Sequence, residues 1–195
     1  MDLIETHRLR LQPLDSTRLE EFVALTANPD AMRYWHRGGP FTRDLAMQNF
    51  AASLARIREF DFGRRWIVSR EDGAGLGFVE TKHFGPGSDD ISPDEVEIGW
   101  MIEPSAWGRG YATEAGAATR DEAFERLGLQ SIVAVHHPEN SASRRVCEKL
   151  GMAFERDLLA KDGWPYCLHR LEREHWTPGQ PTARPFDRTE RRRPP

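Results

Sequence analysis

The stretch Trp107-Gly108-Arg109-Gly110-Tyr111-Ala112-Thr113-Glu114-Ala115 decides how this sequence reads. It stands between an apolar run that closes at Pro104 and an Ala-rich segment that continues to Leu127, where Gly128 supplies a helix stop. Gly108 and Gly110 let the chain turn tightly and bring its backbone close to a ligand. Free N–H groups at the helix start, together with the positive end of the helix dipole, then form an anion cradle. A phosphate-bearing ligand is implied. The stretch is not a Walker loop, because no Gly-Lys-Ser/Thr follows, and it is not a full dinucleotide fingerprint, because Thr113 occupies the third glycine position. A strand-to-helix turn packed closely by Ala112, Ala115 and Gly116 accounts for the same glycines without any ligand.

Upstream, Val96, Ile98, Trp100 and Ile102 alternate with Glu95, Glu97, Gly99 and Met101, the pattern of a strand with one apolar face. Before it, Arg65–Ser69 and Leu76–Thr81 flank the Gly-containing turn 71–75 and predict a hairpin. The opening Thr6–Pro13 reads as a first strand. A helix capped by Asp15 or Ser16 carries Leu19, Phe22, Val23 and Leu25 and ends near Asn28-Pro29, and a second runs over about Arg43–Phe60. Between these helices, Met32–Pro40 is aromatic and Gly/Pro-rich, and Tyr34, Trp35 and His36 suggest a binding lip. Downstream come a buried strand at Ser131–Val135, a helix at Asn140–Leu150 ended by Gly151, and strands at Ala153–Leu159 and Pro165–Leu171 around an Asp162-Gly163 turn. The order predicts one mixed α/β (α+β) domain, with about seven strands in a sheet covered by about four helices.

Composition narrows the classes. The chain has 195 residues and a formal charge of −4, with two cysteines that show no C-x-x-C spacing, so neither a disulfide framework nor a zinc knuckle is indicated. Its longest aliphatic run, Ile132–Val135, is far short of the roughly 18 residues needed to span a bilayer, so no membrane partner is expected. Met1–Arg10 lacks an apolar stretch followed by a small-residue cleavage site, and a cytoplasmic location is the expectation. The charge is uneven: residues 177–195 sum to +3 and residues 1–176 to −7. Five of the 13 prolines and a single aromatic fall in 177–195, so that segment is read as a disordered tail outside a 1–176 domain. Arg191–Arg193 is too short and too poor in aromatics to argue for nucleic acid.

Four ordered blocks carry a family resemblance: Glu97–Pro104, Trp107–Ala115, Pro138–Ser143 and Glu148–Met152. With this spacing the chain resembles the GCN5-related N-acetyltransferases (GNAT), most closely the RimJ/RimL-type branch, over Thr6 to about Trp176. The resemblance implies a mostly antiparallel twisted sheet with a splayed central parallel pair. It implies acetyl-CoA as cosubstrate, its pyrophosphate on the turn formed by Trp107, Gly108, Arg109, Gly110, Tyr111, Ala112 and Thr113. It implies a bulged strand at Trp100, Met101 and Ile102 that offers backbone groups to the pantetheine, with Asn140 and Ser143 beside the sulfur. Asn140 is equally an N-cap, with Ser143 at the third helical position.

The sequence departs from the family in two places. Trp107 replaces the usual Gln or Arg, which costs little where backbone makes the contact. Cys147 stands where many members carry a tyrosine that protonates the leaving thiolate. Ser143 is the substitute candidate, stabilising the thiolate by hydrogen bonding, and Cys147 is read as a buried apolar contact.

An ammonium must lose a proton before it attacks a thioester, and Glu97, opposite Ile98 on the central strand, is the candidate base; the alternative is a solvated strand residue. Asp89, Asp90, Asp94, Glu95 and Glu97 suggest an acidic rim that attracts a cationic amine. His136 and His137 diverge along a strand, and His7, His83, His169 and His175 lack ligand spacing, so no metal is expected. The acceptor is a small-molecule amine or a protein N-terminus. The alternatives are an inactive CoA-binding module and an RNA- or ribosome-associated protein that uses the basic tail; homodimerisation is left open.

Overall fold

Apolar residues on both sides of the central strand force the sheet between two helical layers. In the computed structural model, which describes residues 1–35, 39–84 and 91–179, Ile4–Glu5 (β1), Leu9–Pro13 (β2), Arg64–Ser69 (β3), Gly75–His83 (β4), Val96–Ile102 (β5), Ser131–His136 (β6), Ala153–Leu159 (β7) and Pro165–Glu172 (β8) form one sheet in the order β1-β2-β3-β4-β5-β6-β8-β7. All pairings are antiparallel except β5–β6. The helices are Leu19–Ala27 (α1), Pro29–Met32 (α2), Arg43–Phe60 (α3), Tyr111–Glu125 (α4) and Ser141–Lys149 (α5). Among the described residues that makes eight strands and five helices against the expected seven and four. The additions are the two-residue β1, which pairs Ile4 with Leu11, and the one-turn α2, with Pro29 at its start and the Asn28 side chain as its cap.

Helices α1, α2 and α3 cover one face through Phe22, Leu25, Met32 and Phe50, which meet Trp66, Phe78 and Met101. Helix α4 covers the other face, with Tyr111, Ala115, Ala123 and Phe124 against Ile67, Val79, Ile98, Ile102 and Ile132; α5 adds Cys147 and Leu150 there. The expected single apolar face of β5 is therefore corrected. Met101 is buried among the α1–α3 side chains, and Glu97 is buried rather than solvated.

The parallel pair is splayed, as the resemblance implies. Strands β5 and β6 share a single register pair, Glu97 opposite Val133. The expected bulge over Trp100–Ile102 is absent from the β4–β5 ladder, which runs from Val96 to Ile102 without a register shift. The gap arises because β6 diverges from β5 beyond Glu97, so the backbone edge of Gly99–Ile102 on that side has no strand partner. No helix among the described residues is long and apolar enough to cross a membrane. His36, Asp89, Asp90 and the tail from residue 180 onward lie outside the described residues.

Candidate functional site

The glycine turn is built as its residue types demand. Gly108 has φ 74° and Gly110 has φ 82°, in the left-handed region, and Gly110 is the N-cap of α4 with no side chain to cap the helix. The first N–H groups of α4 therefore face outward, beside space that a Cβ at Gly108 would enter without meeting any atom within 4 Å. The turn is held from outside by Arg8: its Nη1 donates to the Arg109 carbonyl at 2.9 Å and its Nε to Glu114 Oε2 at 2.7 Å. Thr6 Oγ1 and the Arg8 N–H also donate to Glu114. Burial pushes the Glu114 carboxyl up, but these hydrogen bonds outweigh it and hold the group below its ordinary value. The Arg109 guanidinium lies over the Tyr111 ring, and Arg109 is not among the residues that line the cavity.

Gly110→Ala is expected to impose about 1–2 kcal/mol of backbone strain, the usual cost of left-handed geometry for a residue with a Cβ. If the turn holds the phosphates, calorimetric titration with CoA should show a several-fold weaker Kd. An unchanged Kd would remove the turn from the binding site.

A cavity of about 800 Å³ runs from this turn through the β5–β6 gap to the α2 side of the sheet. Trp100, Met101, Ile102, Trp107, Gly108, Gly110, Tyr111, Ala112, Thr113, Asn140 and Ser143 line one half, and Glu97, Tyr34 and Trp35 line the other. Asn140 caps α5, its Oδ1 accepting from the Ser143 N–H at 3.0 Å. The cap reading thus holds while both residues border the cavity. Trp107 is half exposed, and its indole N–H donates to the Ile102 carbonyl at 2.7 Å, bracing the turn against the end of β5. Arg145 and Lys149, one turn apart on α5, also line the cavity and add cations to its wall.

Glu97 sits in a buried chain of alternating charge that the sequence reading missed. Lys82 Nζ lies 3.4 Å from Glu97 and 3.3 Å from Glu80, and Glu80 accepts Arg64 Nη2 at 2.6 Å and Nε at 3.0 Å. The register pairs Lys82 with Glu97 across β4–β5, and Glu80 shares Lys82's face of β4 at period two. The signal was present in Glu80-Thr81-Lys82, but the expected strand stopped at Thr81. Burial and the nearby Glu80 charge raise the Glu97 carboxyl above its ordinary value, with the Lys82 cation opposing them. Glu80 is driven the other way: burial would raise it, yet the Arg64 and Lys82 cations prevail and hold it at about 2. Tyr166 of β8 completes this half of the cavity, its phenol raised by burial and by the Glu97 charge.

The acidic rim expected from 89–97 does not form among the described residues. Glu95 is held by Arg170 at 2.7 and 2.9 Å, Asp94 is exposed in a turn outside the cavity wall, and Glu97 is paired with Lys82. Cys147 is fully buried among apolar side chains, as expected, and burial raises its thiol; it does not line the cavity. The fold also brings together residues that linear spacing keeps apart. His136 Nε2 meets His169 Nε2 at 3.1 Å, His136 Nδ1 meets the His137 carbonyl at 2.8 Å, and the His136, His169 and Cys147 donor atoms all lie within 4.8 Å of one another. Burial lowers both imidazoles, disfavouring their charged forms.

A family model described as an acetyltransferase (GNAT) domain matches residues 8–153. The chain is 29% identical over 192 residues to the FsC-acetyl coenzyme A-N(2)-transacetylase of Aspergillus fumigatus, a match covering 89% of this chain and 77% of that protein. It is 26% identical over 189 residues to the spermidine N(1)-acetyltransferase of Escherichia coli, covering 92% of this chain and 96% of that one. Among solved structures, an acetyltransferase from Agrobacterium tumefaciens superposes with a TM-score of 0.75 at 28% identity, covering 88% of this chain and 95% of its own. The matched span runs from β2 through the glycine turn and the α5 cap to the start of β7, so it contains the splayed strands and the cavity between them. The chain belongs to the GNAT acetyltransferases, N-acetyltransferases whose cosubstrate is acetyl-CoA.

Proposed function

We propose that the chain acetylates a primary amine, on a small molecule or a protein N-terminus, by direct attack on acetyl-CoA, with Glu97 as general base. The observation that carries this reading is a buried, upshifted carboxyl at the one point where β5 and β6 still pair, in the same cavity as the N-terminus of α4. The glycine turn fits the pyrophosphate, Arg145 and Lys149 suit further phosphates, and the unpaired backbone edge of Gly99–Ile102 suits the pantetheine amides. Ordered motif blocks from Glu97 to Met152 further support placement in the RimJ/RimL-type branch, and a cytoplasmic setting suits an enzyme supplied with acetyl-CoA.

The acceptor ammonium gives one proton to Glu97, directly or through water. Its nitrogen attacks the thioester carbonyl carbon, whose oxygen takes negative charge facing the strand N–H groups. The carbonyl re-forms, the C–S bond breaks and its electron pair stays on sulfur. The second amine proton reaches the thiolate, which Ser143 stabilises by hydrogen bonding, and Glu97 releases its proton to solvent. The products are an amide, CoA thiol and one proton. An upshifted carboxyl suits this role because a base works best when its pKa approaches the working pH.

Incubation with labelled acetyl-CoA and a panel of amines and peptides tests the reading: label transfer supports it, and acetyl-CoA binding without transfer to any acceptor overturns it. A second measurement examines Lys82. Its cation opposes the rise of Glu97, so Lys82→Gln leaves Glu97 protonated to higher pH. The acid limb of kcat/KM should therefore move upward in the variant, and an unmoved limb would separate Lys82 from the base.

A further inference from the structure

Beside the cavity, β6, β8 and α5 converge on a cluster of soft donors. His136 of β6 and His169 of β8 are 4% and 3% exposed, and Cys147 of α5 is fully buried. Period two along each strand sets the two imidazoles on the sheet face of Ala134 and Leu171, which pack with Cys147. His136 also lines the cavity, whereas His169 and Cys147 are not among the lining residues. The register sets Cys167 opposite His136, so a second thiol stands on this face two residues before His169. Three separate elements supply these residues, which is why no ligand spacing shows along the chain.

Protons alone do not satisfy this cluster. His136 Nδ1 faces the His137 carbonyl at 2.8 Å, so that nitrogen carries the ring proton and Nε2 presents a lone pair to His169 Nε2 at 3.1 Å. If His169 Nε2 carries a proton to donate, its Nδ1 becomes a bare acceptor, and that buried atom has no hydrogen-bond partner among the described residues. The Met152 backbone beside the ring favours a proton on it rather than a bare lone pair. With the proton on Nδ1 instead, two lone pairs face each other. An imidazolium shared between the rings would bury a full charge, which is costly without a paired anion. A cation uses both Nε2 lone pairs and leaves each Nδ1 its proton. The His136, His169 and Cys147 donor atoms lie within 4.8 Å of one another. From that spacing, side-chain rotation reaches ligand distances of about 2.0–2.1 Å for nitrogen and about 2.3 Å for sulfur.

We propose that His136 Nε2, His169 Nε2 and the Cys147 sulfur bind a thiophilic metal ion, Zn(II) or Cu(I), as a structural ion outside the acetyl-transfer chemistry. The Cys147 thiol gives its proton to solvent as the sulfur binds, so one negative charge enters with the ion. Three such ligands make a neutral Cu(I) site. Zn(II) reaches the same balance, and its usual four ligands, when Cys167 leaves the Asp157 carboxylate, to which its Sγ donates at 3.3 Å, and joins as a second thiolate. Either ion clamps α5 to β6 and β8. Cys147 stands one turn after Ser143, so the clamp fixes the helix that presents Asn140 and Ser143 to the cavity.

The test expresses the full chain in medium supplemented with zinc or with copper, purifies it without chelator and measures its metal content by mass spectrometry. About one ion per chain is expected, with a Tm above that of chelator-treated protein. Cys147→Ser and His169→Gln, which keep side-chain size, should each lose the ion. The parent loaded with Co(II) should show a thiolate-to-metal charge-transfer band that Cys147→Ser lacks. Cys167→Ser separates the two metals: zinc lost from it supports the four-ligand Zn(II) site, and copper retained by it supports the three-ligand Cu(I) site. A parent free of both metals would overturn the proposal. So would metal retained in full by both Cys147→Ser and His169→Gln, which would mark an adventitious ion only. Should these variants fail to fold, the Co(II) spectrum of the parent decides, and absence of the thiolate band overturns the site.

Discussion

Glu97→Gln is expected to lower kcat/KM by about 10²–10⁴, the usual contribution of a positioned base, with acetyl-CoA affinity within about twofold of the parent. The affinity should survive if, as proposed, the glycine turn and the α5 cap hold acetyl-CoA and Glu97 serves only the acceptor; all of them line the one cavity. The parent should lose activity as pH falls through the raised Glu97 pKa, above the ordinary glutamate range, because only the ionised carboxylate accepts the ammonium proton. In Glu97→Gln that acid limb should vanish from the residual rate. Turnover within a factor of two of the parent would remove Glu97 from the mechanism, and loss of acetyl-CoA binding would show that the change disrupted the cavity.

Glu80→Gln should be among the most destabilising single changes in the chain. It removes one of two carboxylates from the Arg64–Glu80–Lys82–Glu97 chain and leaves Arg64 without its partner at 3% exposure. Breaking a buried pair in this way typically costs 3–5 kcal/mol, which in a domain of this size corresponds to a fall in Tm of roughly 6–20 °C. The exposed pair Arg43–Glu20 is the contrast, its side chains 56% and 70% exposed; Glu20→Gln should shift Tm by no more than the small effect usual for surface pairs. The pH dependence carries the same signature. Glu80 is held at about 2, so its share of the stability is complete above the ordinary glutamate value and fades as pH falls from there toward 2. Glu80→Gln should flatten that part of the acid-stability curve. Equal Tm values for the two variants would mean that the buried chain adds nothing.

Much of the fold was legible because its signals are local. The hairpin around 71–75, the helix over Arg43–Phe60, and the strands on either side of Asp162-Gly163 each follow from periodicity and turn residues within their own span, and β7 begins and ends as expected. Less local features escaped. β1 is too short to show a period and exists only because β2 lies beside it. α2 is a single turn whose Pro29 reads equally as a helix end or a helix start. The run 89–97 read as one acidic patch because sequence shows neighbours along the chain, whereas Arg170 and Lys82, which neutralise Glu95 and Glu97, come from β8 and β4.

By itself the sequence determined the family, the order of elements, the glycine turn that suits a phosphate and the cap at Asn140, since each depends on residues a few positions apart. Tertiary structure alone decided the chemistry of the carboxyl. Glu97 alternates with apolar neighbours like any solvated strand residue. Only the covering of both sheet faces takes water from it, and only the β4 register sets Lys82 against it. Desolvation and charge pairing depend on distance through space, which the linear order of residues does not encode.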